Sequence, residues 1–381
     1  PLTLDHQPVH WRDQSTVLRI LFCALQGDML DQHHLAQARK GSAVASALLA
    51  LQRYLGDLPL KLAIKVYQAR VEPILAYGCE VGIALTKPAR DALEKVQLMF
   101  FRRVLGYSTR SMRAIIFSET GILPILHRRL ILALHFYKRM LDLPADAIAA
   151  HAFRDALALY AAGRPSWIGD LATGLGHLEP IAVRVDFLQV RSAAHVDTVI
   201  ARVEASAHDG VRRHVAAASR THLLLNRAEA DKRGMQSSKV IQYRAYLDVE
   251  IPHHRKALTR ALTGEHSLLS VRGTWSVRGE CIKPEWRLCR FYGAAVEDAT
   301  HALFRCAACE DLSHLRHVFW CDIVHLRAHV CAVTADVETW LPALCGVTQC
   351  HSSRGQVCSR RAISSLSPPG IRALERRLGE K

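Results

Sequence analysis

Cysteine and histidine side chains gather towards the C-terminal end of this chain. Nine of its eleven cysteines lie between Cys281 and Cys358, and histidines are interleaved with them in the stretch Cys289–Cys321. Cysteine thiolates and histidine nitrogens are the usual zinc ligands, and closely spaced pairs let a short loop wrap the ion. The sequence carries no secretory signal, so the cluster favours zinc ligation or free thiols in a reducing, intracellular compartment over a disulfide framework.

One set of zinc ligands follows from spacing alone. Cys306 and Cys309 form a Cys-x2-Cys pair, and His317 and Cys321, four residues apart, share one face of a predicted helix. The later cysteines show no paired spacing and are predicted to be buried or idle thiols: Cys331, Cys345, Cys350 and Cys358.

Other catalytic constellations are absent from the sequence. It contains no Asp-Asp pair, P-loop, HExxH or GxSxG motif, so it lacks the paired carboxylates that hold two magnesium ions in a DNA polymerase. The pairs His33-His34 and His253-His254 are predicted to lie on solvated surfaces. An independent enzyme is therefore the least favoured class of function.

Composition points to a helical protein with a polyanionic partner. Fifty Lys and Arg residues against 35 Asp and Glu residues give a formal net charge of +15, which favours nucleic acid. Half of the 381 residues are hydrophobic but only 7% are aromatic, as in Ala- and Leu-rich helical proteins of two or three domains. No uncharged run is long enough for a membrane span, so we expect a protein with no membrane partner.

The elements that precede the cysteine cluster are predicted helices with cationic flanks. Residues 35–55 form one helix, a second runs up to Pro73, and a third starts near Pro88 and ends at Gly106. The third has an apolar stripe, and its basic residues fall largely off that stripe: Arg90, Lys95, Arg102 and Arg103. A fourth helix runs from Pro124 to Leu141, and His253–Leu262 is a further basic helix. We also predict a short strand at 17–25, a linker or surface loop at 163–180 with a turn at 174–176, and a break between helices near Gly210.

The order of these residues resembles one family. Ala76-Tyr77-Gly78-Cys79-Glu80, Leu93-Glu94-Lys95-Val96-Gln97 and Arg102-Arg103-Val104-Leu105-Gly106 are similar to the segment after the palm in non-LTR (LINE-type) retrotransposon reverse transcriptases. That segment builds the thumb and the connection beyond it. One departure is Gly82, where the family usually has Trp. The resemblance covers about residues 17–330, which correspond to a region outside the catalytic part of these enzymes. The chain begins with Pro1 rather than Met, which suggests a fragment or a processed product.

The cysteine cluster extends the resemblance. Cys289-x2-Tyr292-x8-His301-x4-Cys306 is similar to the Cys-Cys-His-Cys module near the C-terminus of the same proteins. Tyr292 replaces the second Cys, and a neutral phenol is a poor zinc ligand. The resemblance therefore implies three zinc ligands, Cys289, His301 and Cys306, with Cys281 or Cys309 as the fourth; a decayed site that binds nothing is the other alternative.

The resemblance also implies a function and a domain order. We expect a mainly α-helical protein: palm-like strand end and linker at 1–34, thumb-like helical bundle at 35–162, second helical region at 163–262, Cys/His-rich module at 263–330 and mobile basic tail at 331–381. The helices would bind an RNA–DNA duplex and the module template RNA or target DNA, in the nucleus or cytoplasm, and magnesium would serve only the intact polymerase. The predicted phosphate contacts are Arg90, Lys95, Arg102, Arg103, Arg128, Arg129, Arg255, Lys256 and Arg260. The alternative is a decayed or domesticated helical scaffold with no nucleic-acid role.

Overall fold

The computed structural model describes residues 3–4, 7–8, 27–224, 239–274, 281–291, 293 and 295–326. This part of the chain is mainly α-helical, as predicted. Its only strands are the two-residue β1 (Thr3–Leu4) and β2 (Gln7–Pro8), which pair antiparallel. The predicted strand at 17–25 and the tail from 331 lie outside the described residues.

Thirteen α-helices follow in the described residues, together with short 3-10 and π segments. The helices are α1 (Gly27–Ala50), α2 (Gln52–Leu55), α3 (Leu60–Val66), α4 (Glu72–Ala76), α5 (Lys87–Leu105), α6 (Arg113–Thr120), α7 (Ile125–Leu141), α8 (Ile148–Ala161), α9 (Trp167–Gly176), α10 (Ala193–Ala217), α11 (Pro252–Thr263), α12 (Leu269–Arg272) and α13 (Glu310–Leu326). The π segments are Tyr67–Val71 and His301–Arg305, and the 3-10 segments are Ser219–Leu224, Ala245–Asp248 and Pro284–Trp286. No helix in these ranges is long and apolar enough to cross a membrane.

The first long helix begins well before its predicted start. α1 starts at Gly27 rather than at residue 35 and packs against α5; its buried positions include His34, Ala38 and Ala45. The sequence before Leu35 is polar, and one of its buried positions is His34 rather than an apolar residue. Hydrophobic periodicity therefore does not indicate this part of the helix.

The helix that was predicted to stop before Pro73 instead continues through it. The π segment Tyr67–Val71 joins α3 to α4, and the N–H of Glu72 donates to the carbonyl of Tyr67, five residues back. A proline inside a regular helix clashes with the carbonyl four residues earlier. The wider π turn shifts the hydrogen-bond register just before Pro73, so the helix continues through the proline without this clash.

Two glycines that suggested breaks lie inside helices. The predicted loop at 163–180 contains α9, which Ser166 caps by accepting from the N–H of Gly169 at 3.1 Å. A Cβ at Gly174 would lie 2.6 Å from Ile83, and one at Gly210 of α10 would lie 2.7 Å from Pro180. These glycines are therefore places of close packing, and the turn predicted at 174–176 and the break predicted near Gly210 are wrong.

The core consists of two clusters of buried side chains. One joins α1, α3 to α6, the C-terminal half of α10, α11 and residues up to Ala302; its largest members include Tyr67, Phe100 and Phe101. The other lies around Tyr137, between α7, α8, α9 and the N-terminal half of α10. The predicted domain boundary after residue 162 divides the second cluster, and the predicted boundary after residue 262 divides the first. Because the first cluster reaches Ala302, the cysteine-rich module is packed onto the helical body.

Candidate metal centre

Three predicted zinc ligands form one buried cluster. The candidate ligand atoms of Cys289, His301 and Cys306 all lie within 4.8 Å of one another. The exposed fractions of the three residues are 3%, 7% and 2%, respectively. Two thiols and an imidazole are a donor set that suits zinc, so the cluster can bind a metal such as zinc.

The distance between the two sulfur atoms fits a shared metal ion. Cys289 Sγ and Cys306 Sγ are 3.7 Å apart. A tetrahedral ion with Zn–S bonds of about 2.3 Å holds its sulfur ligands about 3.8 Å from each other, whereas a disulfide brings them to about 2.05 Å. Both cysteines are free thiols, so the pair has the spacing of metal ligands rather than of a disulfide.

Cys289 lies in a short hairpin. A β-bridge joins Leu288 to Val296, and the N–H of Cys289 donates to Ala295 O at 2.7 Å. The chain reverses at Gly293, whose φ of +71° belongs to the left-handed region that glycine occupies without strain. The hairpin thus directs the Cys289 thiol inward, onto the segment that carries the other two ligands.

A π turn brings His301 and Cys306 together. The N–H of Cys306 donates to His301 O at 2.8 Å, across five residues. Because a π turn has more residues per turn than an α-helix, positions five apart come to lie one above the other. Asp298 Oδ1 accepts from the His301 N–H at 2.6 Å and holds the start of this turn.

Two charged side chains fix the cluster to its surroundings. Glu297, 1% exposed, accepts from Arg290 Nε at 2.7 Å and from the Leu269 N–H at 2.7 Å, which ties the hairpin to α12. Arg316 of α13 donates from Nε to Leu303 O at 2.7 Å and from Nη2 to Cys306 O at 2.5 Å. The ligands are therefore held by hairpin, π turn and helix together.

Metal binding at this cluster would displace protons. Burial, together with the neighbouring thiol of Cys289, raises the pKa of the Cys306 thiol, and zinc ligation requires the thiolate.

The other predicted ligands lie outside the cluster. Cys309, proposed as the fourth ligand, is half-buried just before α13 and is not a member of the group. Cys281 is exposed and donates to Thr274 O at 3.3 Å. His317 and Cys321, from the set that spacing alone suggested, are exposed, and the His317 Nε2 and Cys321 Sγ atoms are 3.7 Å apart. In the described part of the chain they do not belong to the ligand group that contains Cys306. Tyr292 lies outside the described residues.

Two of the predicted phosphate contacts are buried. Arg129, 4% exposed, donates to the carbonyls of Leu75 and Gly82 and contacts His34 Nδ1 at 3.2 Å. Arg255, 5% exposed, donates to Val249 O at 3.0 Å and to Leu58 O at 3.2 Å. Burial lowers the pKa of both guanidinium groups. These positions do not fit phosphate contacts on a nucleic-acid surface.

Most of the remaining basic side chains connect elements of the fold. Arg102 donates to Ser111 at Oγ (2.9 Å) and O (2.6 Å), and Arg260 donates to Gly106 O at 2.8 Å. The further contacts are Lys256 with Asp57 at 2.8 Å, Arg128 with Glu72 at 3.0 Å and Arg90 with Leu85 O at 2.8 Å. Lys95 and Arg103 are exposed on α5. They are the two exposed residues among the nine predicted phosphate contacts.

Two buried histidines were missed or misplaced from sequence. His34, predicted to be solvated, is 0% exposed and contacts Arg129, so that prediction is wrong. His127 is 6% exposed, and neither of its ring nitrogens has a hydrogen-bond partner among the described residues. Burial lowers the pKa of His34 to about 3 and that of His127 to about 4. Their helical spacing from apolar neighbours is the signal that sequence offers: His34 precedes Ala38 by four residues, and His127 precedes Leu130 and Ile131 by three and four.

Comparison of the chain with protein-family models, with curated proteins and with solved structures gave no match. Inferences about its function therefore depend on its own residues and geometry.

Proposed function

We propose that the chain is a nucleic-acid-binding helical protein with a structural zinc site, similar in role to the C-terminal portion of a non-LTR retrotransposon reverse transcriptase. It binds RNA and DNA but does not polymerise by itself. The observation that carries this proposal is the buried cluster: Cys289, His301 and Cys306 are the ligands that the resemblance implies, and their donor atoms lie within 4.8 Å of one another.

The zinc ion has a structural role in this proposal. Its ligands come from a hairpin and from the π turn before α13. An ion between them would link these segments and add its binding free energy to that of folding. The burial of the ligands favours a structural ion over one that activates substrate.

Nucleic-acid binding is supported by charge. The formal net charge is +15, and Lys95 and Arg103 remain exposed on α5. The duplex contact that we propose therefore involves fewer basic residues than the nine that the sequence suggests. Most of the nine form hydrogen bonds or ion pairs within the protein.

Metal content tests the zinc proposal. Purified chain should hold about one zinc per molecule by elemental analysis, and Cys306→Ala should abolish it. Cys281→Ala is the matched control, since Cys281 is an exposed thiol outside the cluster, and it should keep the metal. Zinc-free wild-type protein, or equal zinc in both variants, contradicts the proposal.

A salt titration tests the nucleic-acid proposal. In gel shifts with an RNA–DNA duplex, the binding constant should fall linearly with salt concentration on a double logarithmic plot. Primer extension by the same protein should give no product. Absent or salt-insensitive binding rejects the nucleic-acid role even if zinc is present.

An interaction module is the second candidate function. Leu51, Tyr54 and Leu55 lie at i, i+3 and i+4 around α2, and their exposed fractions are 47%, 85% and 70%. Such an apolar face is typical of a surface that packs on another helix. Failure of the gel shift, together with self-association that Tyr54→Ser abolishes, would favour this candidate.

A further inference from the structure

A cleft of about 470 Å³ lies between α5, α6, α7, α9 and α10, away from the metal cluster. Its walls are partly apolar and include Ile83, Phe117 and Leu130. Its polar lining includes three guanidinium groups: that of Arg113, which pairs with Glu94, and those of Arg90 and Arg129. The volume suits a ligand with a small apolar body and one polar end.

The guanidinium groups of Arg90 and Arg129 bind the same short segment of the chain, residues 82–85. Arg90 Nη1 donates to Leu85 O at 2.8 Å, and Arg129 Nη2 donates to Gly82 O at 3.1 Å. Residues 82–85 are only three steps apart, which limits the separation of these carbonyls to about 10 Å. Both guanidinium groups therefore bind carbonyls of the same short segment of the cleft lining.

Neither guanidinium forms an ion pair with a described residue. Arg129 has carbonyl oxygens and His34 as its hydrogen-bond partners, and Glu80 affects it only through space. A buried charge normally requires an opposite charge nearby. Arg129 is 4% exposed, so its charge is compensated by dipoles and by Glu80, which does not contact it.

The acidic residues of the cleft do not compensate Arg90 and Arg129. Asp91 pairs with Lys87 at 2.6 Å, and Glu94 pairs with Arg113 at 2.6 Å. The remaining acid, Glu179, is exposed and forms no ion pair in the described part of the chain. Four basic and three acidic side chains leave an excess of positive charge in the lining.

His127 adds a polar group without a partner to the same lining. It is 6% exposed, and both ring nitrogens lack a hydrogen bond to any described residue. A buried polar group without a partner requires an explanation, and a bound water, ion or ligand is one of them.

We propose that this cleft binds a small organic oxyanion, a carboxylate or a phosphate ester on an apolar body. Arg90 binds the anionic group, because a planar guanidinium donates two parallel hydrogen bonds to either kind of oxyanion. Arg129 adds positive charge to the cleft lining. The apolar wall packs against the body of the ligand. This site is independent of the zinc cluster and of the duplex contact.

Thermal shift and calorimetry with the full chain test the site. The probes are phenyl phosphate and benzoate, with neutral benzyl alcohol as the control for the apolar body alone, all at constant ionic strength. At tenfold excess over its Kd, an anionic probe should raise Tm by about 2 °C or more. A response to phenyl phosphate alone identifies a phosphate ligand, and a response to benzoate identifies a carboxylate ligand.

The decisive variant is Arg90→Gln, because Arg90 is half-buried and its loss spares the core. It should weaken binding of the anionic probe by about tenfold, as expected for loss of a charge-assisted hydrogen bond. Arg39→Gln is the matched control, on an exposed position of α1 outside the cleft. No binding of either anion, equal binding by Arg90→Gln and wild type, or an equal shift with benzyl alcohol would overturn the proposal.

Discussion

Arg255 of α11 donates a hydrogen bond to the carbonyl of Leu58, 197 residues earlier in the chain, at 3.2 Å. Its second bond, to Val249 O at 3.0 Å, completes a bridge between α11 and the segment that leads into α3. A residue whose charge suggests a phosphate contact thus holds two distant parts of the fold together. The same is true of Lys256 and Arg260, which bond to Asp57 and Gly106.

Replacing Arg255 should therefore affect stability rather than nucleic-acid affinity. Arg255→Met leaves two carbonyls without their donor in a buried place, and we expect a loss of about 2–4 kcal/mol in the free energy of unfolding. Urea denaturation measures this loss. Arg103→Met, at an exposed position of α5, should change it by less than about 0.5 kcal/mol. Equal effects of the two variants would argue against the bridge.

The exposed basic residues of α5 should set the salt dependence of duplex binding. Lys95→Gln and Arg103→Gln should each weaken binding and lower the slope of log K against log salt by about one. Arg255→Met, assayed where it is folded, should keep the wild-type slope. An unchanged slope in both glutamine variants would place the contact elsewhere.

Buried histidines should make the protein less stable in mild acid. The pKa of His34 is lowered to about 3 and that of His127 to about 4, against 6.5 in the unfolded chain. Between pH 6.5 and 4 the unfolded state binds more protons, so the free energy of unfolding falls as the pH decreases. Each histidine contributes on the order of a few kcal/mol to this fall.

His127→Leu tests that assignment. This variant should lose part of the decrease in Tm between pH 7 and pH 5, since a leucine takes up no proton. His135→Leu, an exposed substitution on the same helix, is the control and should keep the wild-type pH profile. Parallel profiles for wild type and His127→Leu would refute the role of His127.

Two glycines with the same backbone conformation should differ in their tolerance of alanine. Gly264 and Gly163 have φ of +67° and +68°. A Cβ at Gly264 would clash with the carbonyl of Arg220, whereas nothing lies within 4 Å of a Cβ at Gly163. Gly163→Ala should cost about 1–2 kcal/mol from the left-handed conformation alone, and Gly264→Ala distinctly more. Chemical denaturation of both variants gives the comparison.

Cys309 should be dispensable for metal stoichiometry. It is not in the cluster of Cys289, His301 and Cys306, so Cys309→Ser should retain about one zinc per chain. Cys289→Ser should lose the metal, because it removes one of the three grouped ligands. Loss of zinc in Cys309→Ser, with the fold intact by circular dichroism, would show that Cys309 moves in to complete the site.

The sequence by itself determined the helical class and much of the order of the elements. The stripe of α5, from Pro88 in its first turn to Gly106 at φ +73°, is local information, and its prediction is confirmed. The three residues of the metal cluster were predicted through the resemblance, whereas spacing alone favoured Cys306 with Cys309, His317 and Cys321.

Tertiary structure decided which charges face solvent and which glycines lie inside helices. Arg129 and Arg255 look like surface cations, but long-range packing places them beside carbonyls that no local pattern could indicate. Gly174 and Gly210 look like helix breaks, but both lie inside helices, where Ile83 and Pro180 pack too closely to leave room for a side chain. Periodicity describes one element at a time, whereas burial and close packing depend on contacts between elements that are distant in the chain.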